Sequence, residues 1–231
     1  MQKKHNPKLI QHYMTKYQMN QHFSQDMTPY IELFFWKKNE HICREDEHAE
    51  YLFFFVEGKA KVYITLQNGK SLLLCFYEEF KLIGDIEIIN GKNSTANVQA
   101  IEECYCLGIK REIVSQYLLR DVIFLRFMCE SLSHELERSS KNSSINLLYP
   151  LENRLASYLY TTISHDVTKQ EDTPIFQENL TALAELLGTS YRHLHRSIDS
   201  LCKKMIIERT PQGIKIVNED ELKALTFDLY Q

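Results

Sequence analysis

The run "GTSYRHLHRSI", Gly188 to Ile198, gathers four side chains suited to nucleic acid: Tyr191, Arg192, His195 and Arg196. Arg offers a planar fork of N–H donors that matches guanine O6 and N7 or spans phosphate oxygens. Tyr and His can donate to phosphates or pack on base edges. Leu194, Ile198 and Leu201 recur at helical spacing and supply a buried stripe, with the four polar residues largely off it. Thr189 or Ser190 is placed to cap this helix, and Gly188 to end the preceding one, "LAELL", in a left-handed conformation. Helix, tight turn and a second helix with outward donors is helix-turn-helix chemistry. On spacing alone, a solvated surface or a face that docks on protein fits as well. Between Glu178 and Lys215 six Lys and Arg stand against four Asp and Glu, a mildly basic region in a chain of net charge -4.

Other candidate chemistries are weaker. Cys104 and Cys106 form a C-x-C pair that a strand would turn to one face, a geometry compatible with a metal or redox sensor. The remaining Cys, at 43, 75, 129 and 202, have no spacing that completes a cluster, so buried reduced thiols are the plain reading. His193 and His195 would point about 200° apart on a helix, at about 100° per residue, which rules them out as a metal pair. No Ser/His/Asp or Cys/His arrangement and no phosphate-cradling Gly loop is readable, and the strand-rich region Tyr51–Ile109 holds no His for a metal-dependent β-roll enzyme. The expectation is not an enzyme.

The elements that must carry these residues follow from patterning. The 231 residues suit two modest cores, and 44% hydrophobic with 25% charged residues is ordinary for a globular chain. No secretory signal and no apolar run of about 18 residues is present, so a cytoplasmic location is expected. From Tyr51 to Ile109 short apolar runs are divided by "EGK", "QNGK" and "NGKN", which suit hairpin turns; an antiparallel sandwich or roll is predicted. Ile113, Tyr117, Phe124, Met128, Leu132 and Leu136 then recur at spacings of four and seven, predicting one long helix. Leu118 and Leu125 widen its apolar band, so that one side covers the β domain and the other, with Phe124, Leu125, Met128 and Leu132 as dimer-helix candidates, joins two subunits. "ERSSKNSSIN" reads as a polar hinge that frays this helix. Pro150 suits the first turn of a new helix, "SHDVTKQEDTP" a polar loop, Asn179 a helix cap, and "MIIERTPQGIKIV" a two-stranded wing. The domains expected are 1–110, a sensor; 111–146, a dimerisation helix with hinge; and 147–231, a winged helix-turn-helix.

In this order the parts resemble the CRP/FNR superfamily of transcription regulators. The resemblance rests on "VEGKAKVYI", "LIGDIEIINGKNSTANVQA", "ENRLASYL" and "LAELLGTSYRHLHRSI", and "LGTSYRHL" is similar to the YeiL-type branch. It implies an α+β fold: a double-stranded β-helix of the cyclic-nucleotide-binding type (a jelly-roll), the dimer helix, and the winged helix-turn-helix. It implies a homodimer on a two-fold symmetric double-stranded DNA site, RNA polymerase as a further partner, and DNA contacts at Arg196, Arg192 and Tyr191. It also implies an effector pocket around Gly84, Asp85, Ser94 and Thr95. Cyclic-nucleotide binders in the family carry Gly-Glu and an Arg-Ser/Thr-Ala cassette. Here Gly84-Asp85 and Ser94-Thr95-Ala96 stand in their place with no Arg, so cyclic AMP is disfavoured as effector. The N-terminal Cys cluster of oxygen sensors is absent from residues 1–42, which disfavours an iron–sulfur cluster, and isolated His41 and His48 do not argue for haem. No cofactor is expected.

Overall fold

The computed structural model describes residues 1–78, 80–163, 175–177, 179–227 and 229; at 143, 144, 146 and 147 it describes the backbone alone. The polar loop expected over 164–174 lies outside the described residues. The chain divides into two compact units, Met1–Ile64 with Cys75–Ser139, and Thr65–Leu74 with Ser140–Gln231.

The β-rich part contains β1 (Gln2–Lys4), α1 (Pro7–Lys16), β2 (Glu32–Trp36), β3 (His41–Cys43), β4 (Tyr51–Glu57), β5 (Ala60–Thr65), β6 (Ser71–Tyr77), β7 (Lys81–Ile83), α2 (Asp85–Asn90), β8 (Asn97–Ala100) and β9 (Cys104–Lys110). Two sheets form, in the orders β1-β2-β9-β4-β7 and β3-β8-β5-β6. Registers are antiparallel, with Phe34 opposite Cys106 and Phe54 opposite Leu107. Neighbours so distant in sequence are the mark of a roll rather than a meander.

Period-2 alternation places Leu33, Leu52, Phe54, Leu107 and Ile109 on one face of the first sheet, where they pack with Tyr13 and Met14 of α1 and with Val114, Leu118, Phe124 and Met128. Phe34, Trp36, Phe53 and Phe55 occupy the opposite face and are also buried. At the predicted turns, Asn68 Oδ1 accepts from Lys70 N at 3.0 Å and the "QNGK" reading holds. "NGKN" is different. Asn90 ends α2, and Gly91, at φ 73°, returns its N–H to Glu87 O as a left-handed helix cap, so no hairpin forms there.

The single long helix expected from Ile113 is in fact two elements. A short α3 (Arg111–Ile113) runs into one π turn, Val114–Leu118, and α4 (Val122–Leu148) starts afresh. Asp121 makes the break: its carboxylate accepts from Ile123 N at 3.0 Å, Phe124 N at 3.4 Å and Ser24 N at 2.7 Å. The polar stretch 137–146 does not fray, because α4 runs through it. Ser and Asn cost a helix only a few tenths of a kcal/mol each, and no Gly or Pro intervenes before Pro150. Phe124 and Met128, expected on the dimer face, are buried in the core beneath the first sheet, while Leu125 and Leu132 are half-buried.

The second unit holds α5 (Leu151–Ile163), β10 (Ile175–Phe176), α6 (Leu180–Leu186), α7 (Tyr191–Lys203), β11 (Ile207–Thr210), β12 (Gly213–Ile216) and α8 (Glu219–Thr226). Leu155, Tyr158 and Leu159 of α5 are fully buried, and Ser157 Oγ donates to Leu229 O at 2.6 Å. Strands β10, β12 and β11 make a small antiparallel sheet, with Glu208 opposite Lys215. Asn179 caps α6 through its Oδ1, 2.8 Å from Thr181 N, as expected.

Candidate nucleic-acid interface

Gly188 sits at φ 62° and its N–H reaches Glu185 O, while Thr189 N reaches Ala184 O; together these close α6 within one turn. Of the two capping candidates, Ser190 is the cap: its Oγ accepts from His193 N at 3.2 Å. Leu194, Ile198 and Leu201 are fully buried and fix α7 by one face. From α5, Arg154 donates to Leu187 O at 2.6 Å, and Glu152 takes Ser200 Oγ and pairs with Lys204. Both ends of the motif are thereby fastened to α5.

The other face of α7 is open. Tyr191, Arg192, His193 and Arg196 are exposed, and neither Arg192 nor Arg196 has a hydrogen-bond or ion-pair partner among the described residues. His195 behaves differently. Its ring lies 4.4 Å from that of Tyr191, and its Nδ1 is 3.0 Å from Arg209 Nη2, a nitrogen that also bonds Asp199 Oδ1 at 2.8 Å. Because Arg only donates, Nδ1 accepts and the proton sits on Nε2, which is buried without a partner among the described residues. His195 thus links the recognition helix to the wing strand β11. Arg209, the anchor of this link, escaped the sequence reading; its only signal is a cation at an exposed position of "IERT".

Of the residues expected to form an effector pocket, Gly84 and Ser94 line one cavity of the β-roll, and Asp85 and Thr95 are not part of its lining. Gly84 takes φ 91°, and a Cβ there would lie 2.8 Å from Tyr51 O. Asp85 is buried, and burial first, then Glu87 and Glu135, pushes its carboxyl up to about 6. Ser94 is buried with its Oγ 2.9 Å from the Cys43 thiol, while Thr95 is exposed and its N–H bonds Glu87 Oε1 at 3.3 Å. Arg138 of α4 lies over the Tyr77 ring at 5.0 Å, pairs with Glu135 at 2.5 Å, and donates to Phe76 O. The Cys104 and Cys106 thiols are both buried. Burial raises the first to about 12 and the second well above its ordinary value, so both are neutral thiols. Among the described residues no group of three His, Cys, Asp or Glu is arranged for a metal ion, and the C-x-C pair gathers none.

Comparison with known proteins bears on the same two regions. Residues 33–121 match the family profile "Cyclic nucleotide-binding domain" and residues 153–225 the profile "Crp-like helix-turn-helix domain". The regulatory protein YeiL of Escherichia coli O157:H7 is 32% identical over 207 residues, spanning 90% of this chain and 91% of that protein. The chain belongs to the CRP/FNR family. Its membership makes it a transcription regulator with a helix-turn-helix domain, the motif just described. Another family member, the cyclic AMP receptor protein of Thermus thermophilus, is 20% identical over 87% of this chain and 90% of its own. A crystal structure of a CRP-family transcriptional regulator, also from Thermus thermophilus, shares the fold at a TM-score of 0.65, with 16% identity, 86% of this chain and 98% of the other covered. The CRP/FNR fold is thus present with the β-roll first and the helix-turn-helix last. No described helix is long and apolar enough to cross a membrane.

Proposed function

We propose that the protein is a sequence-specific, DNA-binding transcription regulator, and not an enzyme, that acts as a homodimer on a two-fold symmetric site without a cyclic nucleotide effector. The observation that carries this reading is the open face of α7. Two guanidinium groups, Arg192 and Arg196, stand free of partners among the described residues, one helical turn apart on a helix held rigidly by Leu194, Ile198 and Leu201. A major groove admits such a helix, and each bidentate Arg–guanine pair contributes about 1–3 kcal/mol of discrimination. Tyr191 serves as a phosphate contact, with Thr189 and the exposed backbone of the turn beside it.

The reading without cyclic nucleotide draws support from charge. A cyclic phosphate beside Asp85 would meet the charges of Glu87 and Glu135 as well, and Arg138 is already paired with Glu135. The homodimer draws support from α4, where Val122, Leu125, Cys129, Leu132 and Leu136 follow a 3-4-3-4 spacing on the side away from the core. RNA polymerase is the further partner such a regulator requires.

The test is capture of genomic fragments by the purified, reduced protein at low and high salt. The expected outcome is enrichment of fragments sharing an inverted repeat, with binding that falls steeply as salt rises through counterion release. Replacing Arg192 and Arg196 together with Ala should weaken binding by about 100-fold or more while leaving the assembly state unchanged. Binding by the double variant equal to wild type would sink the assignment of α7 to the groove.

A further inference from the structure

Along α7, Tyr191, His195 and Asp199 follow one another at intervals of four and form a ridge beside the one that carries Arg192 and Arg196. Arg192 and Arg196 are open, with no partner among the described residues, whereas the neighbouring ridge is tied to the wing by a single side chain. Arg209 Nη2 carries two hydrogens, and both are engaged. It donates to His195 Nδ1 at 3.0 Å and to Asp199 Oδ1 at 2.8 Å. The His195 ring lies in turn against that of Tyr191, at a centroid distance of 4.4 Å. Its Nε2–H is buried, out of reach of a DNA base or phosphate.

The position of this tie along β11 gives it its effect. At the base of the strand the backbone already holds the chain to α7: Met205, at φ 57°, reverses its direction, and Met205 N and Ile206 N return to Cys202 O and Leu201 O. The tip lies farther off, because β11 is four residues long, about 13 Å. Ile207 and Arg209, two apart, share one face of the strand, with Ile216 and Ile214 opposite them. Ile207, Ile214 and Ile216 are buried, and Arg209 is the last residue of that face before the turn into β12. An exposed ion pair with Asp199 adds little stability by itself. A planar guanidinium held also by a half-buried imidazole adds direction, since two acceptors one helical turn apart fix where the tip of the wing lies along α7.

We infer that Arg209 is a positioning residue for DNA recognition: through His195 and Asp199 it sets the tip of the wing against α7, and it makes no contact with DNA itself. The inference rests on the DNA-binding function proposed above. His195 is thereby the inner end of the tie and not a groove contact, which leaves base readout to Arg192 and Arg196. A wing already in place strengthens binding because it need not be ordered on the duplex.

The tie is read without DNA. At pH 8 the His195 Nδ1 resonance, assigned with His195→Gln, should move in Arg209→Gln, whose thermal midpoint should stay within about 3 °C of wild type because the position is exposed. DNA binding is then measured over a salt series on the most enriched genomic fragment. Arg209→Gln should bind about tenfold more weakly with unchanged salt dependence. A direct phosphate contact would instead lower the slope of log affinity against log salt by about 1 for each half-site. Asp199→Ala is the sharper variant. A carboxylate repels phosphates, so its removal strengthens binding unless it acts through Arg209; the expected result is a loss of about threefold to tenfold, with no further loss when Arg209→Gln is added. Wild-type protein that captures no DNA refutes the proposed function and this inference with it. Wild-type protein that binds, together with Asp199→Ala binding as tightly or more tightly, a reduced salt slope in Arg209→Gln, or an unmoved Nδ1 resonance, overturns this inference alone.

Discussion

Asp85 stands where cyclic-nucleotide binders of the family carry Glu, and its surroundings decide what it can do. Burial, then Glu87 and Glu135, raises its carboxyl to about 6, against about 3.9 for an Asp in an unfolded chain. Between those values the folded protein holds a proton that the unfolded chain has released. This contribution to stability is therefore fully present below about pH 4 and is lost as pH rises through 6. Asp85→Asn removes the ionisation and keeps the shape. It should stabilise the protein by about 1–3 kcal/mol at pH 7.5 and by little at pH 4, with urea midpoints of the two proteins compared at both values. Equal gains at both pH values would mean that the charge is not the cause. The same buried acid makes Asp85 a poor partner for any ligand anion.

At the scale of elements, Asp121 sets where α4 starts. Its burial opposes ionisation, but the N–H groups of Ser24, Ile123 and Phe124 outweigh that and hold the carboxyl below its ordinary value. Asp121→Ala should cost about 2 kcal/mol, the loss of a cap and of a tertiary bond to Ser24, whereas Asp121→Asn should keep most of it. Because the folded-state pKa is depressed, the advantage of Asp over Asn is present above about pH 4 and disappears as pH falls through the folded value; urea unfolding at pH 7 and pH 3 reads both effects. This break is also where sequence reading failed. "YLLRDVIFL" has no Gly or Pro, and only the tertiary contact to Ser24, 97 residues away, shows that Asp121 ends one helix and starts another. Strand β2 was illegible for a related reason. With Leu33 and Phe34 buried on opposite faces, "LFFW" shows no alternation to read. The helix-turn-helix was legible because everything that makes it is local: the Leu194, Ile198 and Leu201 stripe, Gly188, and the Ser190 cap. Arg209, which reaches His195 and Asp199 from a strand, was not.

For the whole molecule the decisive question is how two copies meet, and α4 narrows the answer. Phe124 and Met128 are spent on the core of their own unit. What α4 leaves uncovered is apolar at a heptad spacing: Val122 is 79% and Leu136 73% exposed, with Leu125 and Leu132 half-buried and Cys129 exposed between them. Surface leucine and valine at every third and fourth position have the spacing of a coiled-coil seam, and in the homodimer proposed above two such seams would bury each other with the helices parallel. In that proposed arrangement Cys129, midway along the seam, would meet its counterpart across the two-fold axis, where a disulfide forms if the Cα atoms come within about 4.4–6.8 Å. Mild oxidation of the dilute protein should therefore yield a covalent dimer that Cys129→Ser abolishes. The other five cysteines are buried or half-buried and should not substitute for it. Leu132→Asp places a charge in the seam without touching either core, and should give monomers by sedimentation with unchanged secondary structure. Such a monomer keeps one recognition helix but loses the linked second half-site, so it should lose most affinity for an inverted repeat and little for a single half-site. A Leu132→Asp protein that remained dimeric would move the subunit contact off α4, and with it the two-fold pairing of recognition helices inferred from that helix.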